Sequence, residues 1–414
     1  MPDRHLPVRP DLEQLRHQAK DFLRDIRAGR ADAVAEFSRH HPRGIPPASA
    51  KLADAQLALA RSYGVASWPR LVQACELTDA IWRDDADAVR QLVTAHPKLL
   101  VEDARGVPGN WGPPMSYAAN LGRDQIIELL RSLGATDVQF AFDRAVLQGQ
   151  IPTARRLYAA GARAAASALM GAAETQNGEG MALALELGAP IADADGDTMA
   201  PVAMILETYC RNPSGKHRCL ELLSTHGVAL PDTAPMAVHR GRIDLLARHV
   251  ANDPTVLSRA WSHVEIYPPS LGCHADASLA LHGTELANTT LLHLAVDNDE
   301  WDIVRWLLEQ GMRADASGPL DEDGFGGHTA LFGCVVSQPY RVGRGGDGMA
   351  RLLLDAGADP NARASLRKRL RFVEDETMHE YRDVTPLGWG ERFHDQDWVN
   401  PDVMRLLAER GGRV

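Results

Sequence analysis

Long apolar runs are missing from this 414-residue sequence: no segment holds eighteen or more consecutive apolar residues, so a membrane-spanning helix is not expected. The opening stretch from Met1 to Pro10 carries charges and prolines instead of an apolar run with a cleavage site, so an export signal is not expected either. Cysteine is scarce and scattered. Cys75, Cys210, Cys219, Cys273 and Cys334 never fall in C-x-x-C spacing, which argues against a disulfide framework or a zinc ribbon and suits a reducing cytoplasm. Positive charge is in deficit, with 44 Lys and Arg against 55 Asp and Glu, so general binding to nucleic acid or to an anionic membrane is disfavoured. Aromatic residues make up only 6% of the chain, which suits helices packed through leucine and alanine. No H-E-x-x-H or comparable ligand signature is present, no confident metal site emerges, and no cofactor is predicted.

What is present is helical periodicity. From Asp11 to Ala28 the apolar residues Leu12, Leu15, Ala19, Phe22, Leu23 and Ile26 recur every three or four positions, with Asp11 as a cap and Gly29 as a left-handed stop. Two further helices are expected near Ala31 and after Ser49. Ser67-Trp68-Pro69 reads as a capped restart, with Trp68 a wedge in the core. The segment from Lys51 to Val72 resembles a leader found before the repeats of many bacterial ankyrin-repeat proteins, which implies an all-helical lead-in over about residues 1–78.

Self-similarity dominates the rest. Thr290-Leu291-Leu292-His293-Leu294-Ala295 runs on to a leucine pair and Gly311; Thr329-Ala330-Leu331 leads to Gly357-Ala358-Asp359, and Thr385-Pro386-Leu387 to Gly411. These resemble the ankyrin pattern of a T-P-L-H-x-A start, a second helix with paired leucines and a glycine exit. Weaker copies end at Gly134-Ala135, Gly161-Ala162 and Gly188-Ala189, closer together than the usual ~33-residue period, so their fingers should be short. The resemblance implies an all-α ankyrin-repeat solenoid over residues 79–414, degenerate over 79–260 and carrying long finger-loop insertions over 261–414.

Three insertions concentrate unusual chemistry. The first holds His263, Glu265, His274, Asp276 and His282; the second Asp321, Glu322, Asp323 and His328; the third Glu374, Asp375, Glu376 and His379. If the fingers converge, histidines and carboxylates could form a site for metal-assisted or acid–base chemistry or a small-molecule pocket, with His274, His282, His293, Asp321, Asp323 and His328 as candidates. For His293, in the T-x-L-H slot, and for His328, before a repeat start, a structural role is favoured over a chemical one. The basic run Arg363, Arg367, Lys368, Arg369 and Arg371 could hold a phosphate or an acidic surface, with local pairing on an exposed insertion favoured. Trp389 and Trp398, with Phe325, Arg367 and Arg369, are the candidate partner-binding residues. Repeat arrays of this kind imply a protein-binding scaffold that works through its concave face and finger loops. An enzyme or small-molecule site in the insertions is the alternative, without a nameable reaction.

Overall fold

The computed structural model describes residues 4–373 and 375–414; Glu374 and the first three residues lie outside the described residues. The chain divides between Ala164 and Ala165 into two compact units. The architecture is the expected mostly helical array of stacked pairs.

In the first unit, α1 (Leu12–Arg27), α2 (Ala31–His40) and α3 (Leu52–Ser62) enclose a small core of Leu15, Phe22, Ile26, Phe37 and Leu59. The Asp11 carboxylate accepts from Gln14 N at 2.9 Å, and Gly29 takes a φ of 73°. Ser67 caps α4 (Trp68–Trp82), and Trp68 packs half-buried against this core. α4 runs unbroken across residues 78 and 79, where a domain division was expected, so the lead-in and the first pairs share one unit. α5 (Ala86–Ala95) completes the α4 pair; α6 (Pro114–Asn120) with α7 (Asp124–Ser132) and α8 (Val138–Leu147) with α9 (Ile151–Ala159) follow.

The second unit continues with α10 (Ala166–Glu174) and α11 (Gly178–Glu186), α12 (Ala200–Glu207) and α13 (Pro213–Thr225), and α14 (Ala234–His239) and α15 (Ile243–Asn252). The first insertion contains only the short α16 (His263–Ile266) and isolated turns before α17 (Leu291–Asp297) and α18 (Trp301–Glu309). α19 (Ala330–Val335), α20 (Gln338–Arg341) and α21 (Gly348–Asp355) form the next repeat, and α22 (Pro386–Arg392) with α23 (Pro401–Glu409) the last.

The glycine exits adopt the left-handed backbone that the sequence demands, with φ of 102° at Gly134, 109° at Gly161 and 87° at Gly188. Periodicity gave no sign of a second set of left-handed residues, between the two helices of a pair. Gln176, at φ 51°, is one of them. A side chain there costs about 1–2 kcal/mol. The Gln176 amide offsets that cost by bonding the next repeat, donating to Ile205 O at 3.0 Å and accepting from Asn212 N at 2.7 Å.

The third insertion folds into an antiparallel hairpin, β1 (Ala364–Lys368) against β2 (His379–Val384), that pairs Leu366 with Tyr381 and Lys368 with His379. Alternation along β1 buries Ala364, Leu366 and Lys368. The basic run is therefore largely a strand. Among the described residues its arginines make no ion pair with Asp375 or Glu376, which follow closely in sequence: Arg367 reaches Asp321 and Asp323, Arg363 reaches Asp383 across the hairpin, and Arg369 donates to the Glu376 backbone carbonyl.

The second insertion is clamped onto this hairpin, with Gly326 N donating to Ser365 O at 2.6 Å. Phe325 is 5% exposed and lies between the guanidinium groups of Arg367 and Arg382, 4.4 and 4.0 Å from its ring centre. Phe325→Ala is expected to lower the unfolding free energy by about 3 kcal/mol in urea titration, and Phe325→Leu by clearly less, because leucine keeps most of the buried apolar volume.

Candidate functional site

The first helices of the second unit set the site, because their sequences leave almost nothing polar on them. α14, α17 and α19 are buried at every residue. α17 nevertheless ends in a carboxylate, Asp297, and the turn after it continues with Asn298, Asp299 and Glu300, all four buried. Buried carboxylates require partners. They find them across the stack.

Arg211, on the turn between α12 and α13, is 3% exposed and donates to five oxygens. Its Nη2 meets Asp297 Oδ2 at 2.9 Å and Leu281 O at 2.6 Å, its Nη1 meets Thr208 O at 2.7 Å and Cys210 O at 2.9 Å, and its Nε meets Asp297 O at 2.9 Å. His282, from the first insertion, meets the same Asp297 Oδ2 through Nδ1 at 2.6 Å. That short contact to a carboxylate makes Nδ1 the protonated nitrogen, so the 3.3 Å approach of Arg211 Nη2 to Nδ1 is a close contact between donors. Burial opposes ionisation of Asp297, but His282 and Arg211 outweigh it and hold the carboxyl well below the usual range. Burial also depresses His282 despite Asp297 beside it.

A second pair lies one turn on. Lys216 Nζ donates to Glu300 Oε1 at 2.7 Å and to Asn298 Oδ1 at 3.0 Å, and His217 Nε2 lies 2.9 Å from both Glu300 oxygens. α13 is separated in the chain from the α17–α18 turn by a whole helical pair. The intervening turn is at Gly241, where a Cβ would sit 2.1 Å from the His217 ring, so a glycine there is what lets the side chain cross.

The first insertion closes over this cluster. His239 Nε2 lies 3.0 Å from Ile266 O, and Tyr267, fully buried, has the rings of His239, His263 and His282 each 5.2 Å away. Tyr267 Oη makes no hydrogen bond although Asn298 lies beside it, and burial raises its pKa. Residues 279–283 then run as a strap. Arg371 donates to Leu279 O at 2.9 Å, Lys368 to Ala280 O at 3.4 Å and Arg211 to Leu281 O at 2.6 Å, while Gly283 N donates to Asp297 Oδ1 at 3.0 Å. Burial lowers the Lys368 pKa to about 8 and raises that of Glu285, the nearby carboxyl.

The six residues proposed for chemistry do not meet. His282 is in the buried cluster. His293 and His328 form a separate buried pair, edge-on at 5.1 Å, with His293 Nε2 donating to His328 O at 3.0 Å and His293 Nδ1 held by Thr290 Oγ1 at 2.9 Å. Neither ring nitrogen of His328 completes a hydrogen bond, although the Glu285 backbone is near. His274 is exposed and bound to Glu207 at 2.9 Å, and Asp321 and Asp323 are engaged with Arg367 on the outer hairpin. A cavity of about 110 Å³ in this unit is lined by Asp299, Trp301, Cys334, Arg344 and Asn400, and by none of the six.

The partner-binding candidates also need correction. Trp389 is fully buried and Trp398 is 5% exposed, so neither anchors an interface; Trp389 packs edge-on against Tyr381 at 4.7 Å and Phe393 at 4.9 Å. Phe325 is covered by its two arginines. Arg211, Lys216, Asp297 and Glu300 escaped sequence reading. The available signal was the Asp-Asn-Asp-Glu run ending a helix that is otherwise apolar.

An ankyrin repeat model matches residues 288–318, which hold the α17–α18 pair. Among solved structures, the human ASB11 ankyrin repeat domain is similar at 17% identity and a TM-score of 0.26, covering 73% of this chain and 99% of that one. No curated protein matches the sequence. No helix among the described residues is long and apolar enough to cross a membrane.

Proposed function

We propose that the protein is a cytoplasmic interaction scaffold that captures a protein partner through the insertions of its second unit. Ankyrin repeats serve mainly in protein–protein interaction, and the five cysteines are all free, which suits a reducing compartment. The surface of the buried first helices is not the natural contact here, because the first insertion occupies their ends. The insertions themselves expose large apolar side chains.

The observation that carries this reading is Phe372, at the turn of the hairpin. It is 77% exposed, stacked under Arg371 at 4.9 Å, and held at φ 62°, a conformation that costs a bulky residue energy. Leu320, 61% exposed on the second insertion, and Met378, 48% exposed before β2, add apolar area, and exposed aromatic and arginine side chains are the chemistry of interface anchors. The acid–base alternative is less well supported, since His282, His293, His328 and Asp297 are each no more than 4% exposed and a substrate could not reach them.

Phe372→Ala combined with Leu320→Ala should leave urea unfolding within about 0.5 kcal/mol of the parent, because both residues are exposed. The same variant should lose most of the partner recovered by the tagged full chain. Undiminished recovery would remove this surface from consideration.

A further inference from the structure

The geometry points to a receptor groove for a short peptide segment on the second unit, occupied in this chain by its own residues Leu279–Gly283, which leave a 3-10 turn ending at Leu279. This deepens the scaffold reading by naming the chemistry of a partner, and it rests on that reading.

Three consecutive carbonyls of the strap, Leu279, Ala280 and Leu281, each accept a hydrogen bond from a different cation: Arg371, Lys368 and Arg211. Those cations come from two regions far apart in the chain, the end of the hairpin and the α12–α13 turn. Cations on successive carbonyls read a backbone and leave sequence open. Selectivity enters at the next two positions. Asp297 uses one oxygen for the His282 imidazole at 2.6 Å and the other for Gly283 N at 3.0 Å, so it reads a side chain and the following amide together. Gly283 itself is forced by shape, since a Cβ there would lie 1.8 Å from Val336 O. The groove therefore takes a short segment of small or apolar residues that leaves a 3-10 turn and is followed by His-Gly.

The strap is held chiefly through polar contacts, with Leu279, Ala280 and Leu281 only half-buried and His274 to Asp276 before them exposed. A segment bound this way exchanges with a free peptide of the same pattern when its local concentration, on the order of a millimolar for a short tether, is offset by loosening it.

The probe is a fluorescein-labelled peptide with the sequence of residues 276–286, titrated by anisotropy into the full chain. Gly283→Ala should unseat the strap, and His282→Ala should weaken it without steric conflict; both variants should bind the peptide at least tenfold tighter than the parent. The same peptide with its glycine replaced by alanine, or its histidine by leucine, should bind at least tenfold more weakly. Should Gly283→Ala fail to fold, His282→Ala carries the test alone. The groove is refuted if a folded variant binds no peptide, or binds the altered peptides equally well. A variant that forms a concentration-dependent dimer in light scattering, competed away by the peptide, would show the groove filled by a second copy and supports the assignment. Partner recovery lost on Phe372→Ala with peptide binding intact would separate this groove from the hairpin surface, and the converse result would sink the groove alone.

Discussion

Asp297→Asn is expected to lower the unfolding free energy by about 3–5 kcal/mol, the cost of leaving a buried charge without its partner. The substitution keeps the shape of the side chain and an oxygen for Gly283 N. It removes the only carboxylate that Arg211 touches among the described residues, while both groups are 2% exposed. Replacing Arg211 as well should recover only part of the loss, since its guanidinium also satisfies the carbonyls of buried Thr208 and half-buried Cys210 and Leu281, which would then lose their donor. Asp323→Asn is the control: that carboxylate is 70% exposed, and its removal should change stability by under about 0.5 kcal/mol. Urea unfolding of the full chain, monitored by circular dichroism, measures all three. A loss below about 1 kcal/mol for Asp297→Asn would mean that water reaches the pair.

Acidification should destabilise the second unit well before carboxylates titrate. Burial pushes His293 down to about 4, and burial together with the neighbouring His293 pushes His328 down to about 3; burial takes His239 well below its ordinary value too. The folded state thus refuses protons that the unfolded chain accepts near ~6.5. Stability is therefore fully present above that pH and is lost as pH falls below it, by up to about 1.4 kcal/mol per pH unit for each imidazole. His293 and His328 together should remove about 4 kcal/mol between pH 6.5 and 4.5. Asp297 acts in the same direction but only at more acid pH, because its carboxyl is held low. His328 makes no hydrogen bond through its ring, so His328→Leu should cost little at pH 8, under about 1.5 kcal/mol. The same variant should reduce the slope of stability against pH in the acid range by one imidazole's share, up to about 1.4 kcal/mol per pH unit. An unchanged slope would show that His328 is not a source of the acid sensitivity.

The helical pairs and their glycine exits were legible because a repeated period and a left-handed backbone both leave marks in single residues: Thr290, His293 and Gly311 each stand where the repeat needs them. The hairpin was not legible. Its strands alternate Ala364, Leu366, Lys368 on the buried side, and a lysine at an inward position reads as surface until the Ala280 carbonyl that it meets is known. Trp389 and Trp398 misled for the opposite reason, since a tryptophan in an insertion-rich region reads as an anchor while Tyr381 of the hairpin and Phe393 at the end of α22 enclose Trp389. Of the candidate site, His282 was visible through the clustering of histidines and carboxylates in the first insertion. Arg211 and Lys216 were not, because their partners Asp297 and Glu300 are more than eighty residues away in the chain.

In a simple array each repeat leans only on its neighbours, so arrays change length by gaining or losing a whole unit. The Lys216 and His217 contacts with Glu300, passing over Gly241, bind one repeat to the next but one. Excising the repeat between them, or duplicating it, would strand Glu300 and Asp297 without their cations. This stretch is thereby fixed in repeat number, and it should open as one cooperative block instead of fraying one pair at a time.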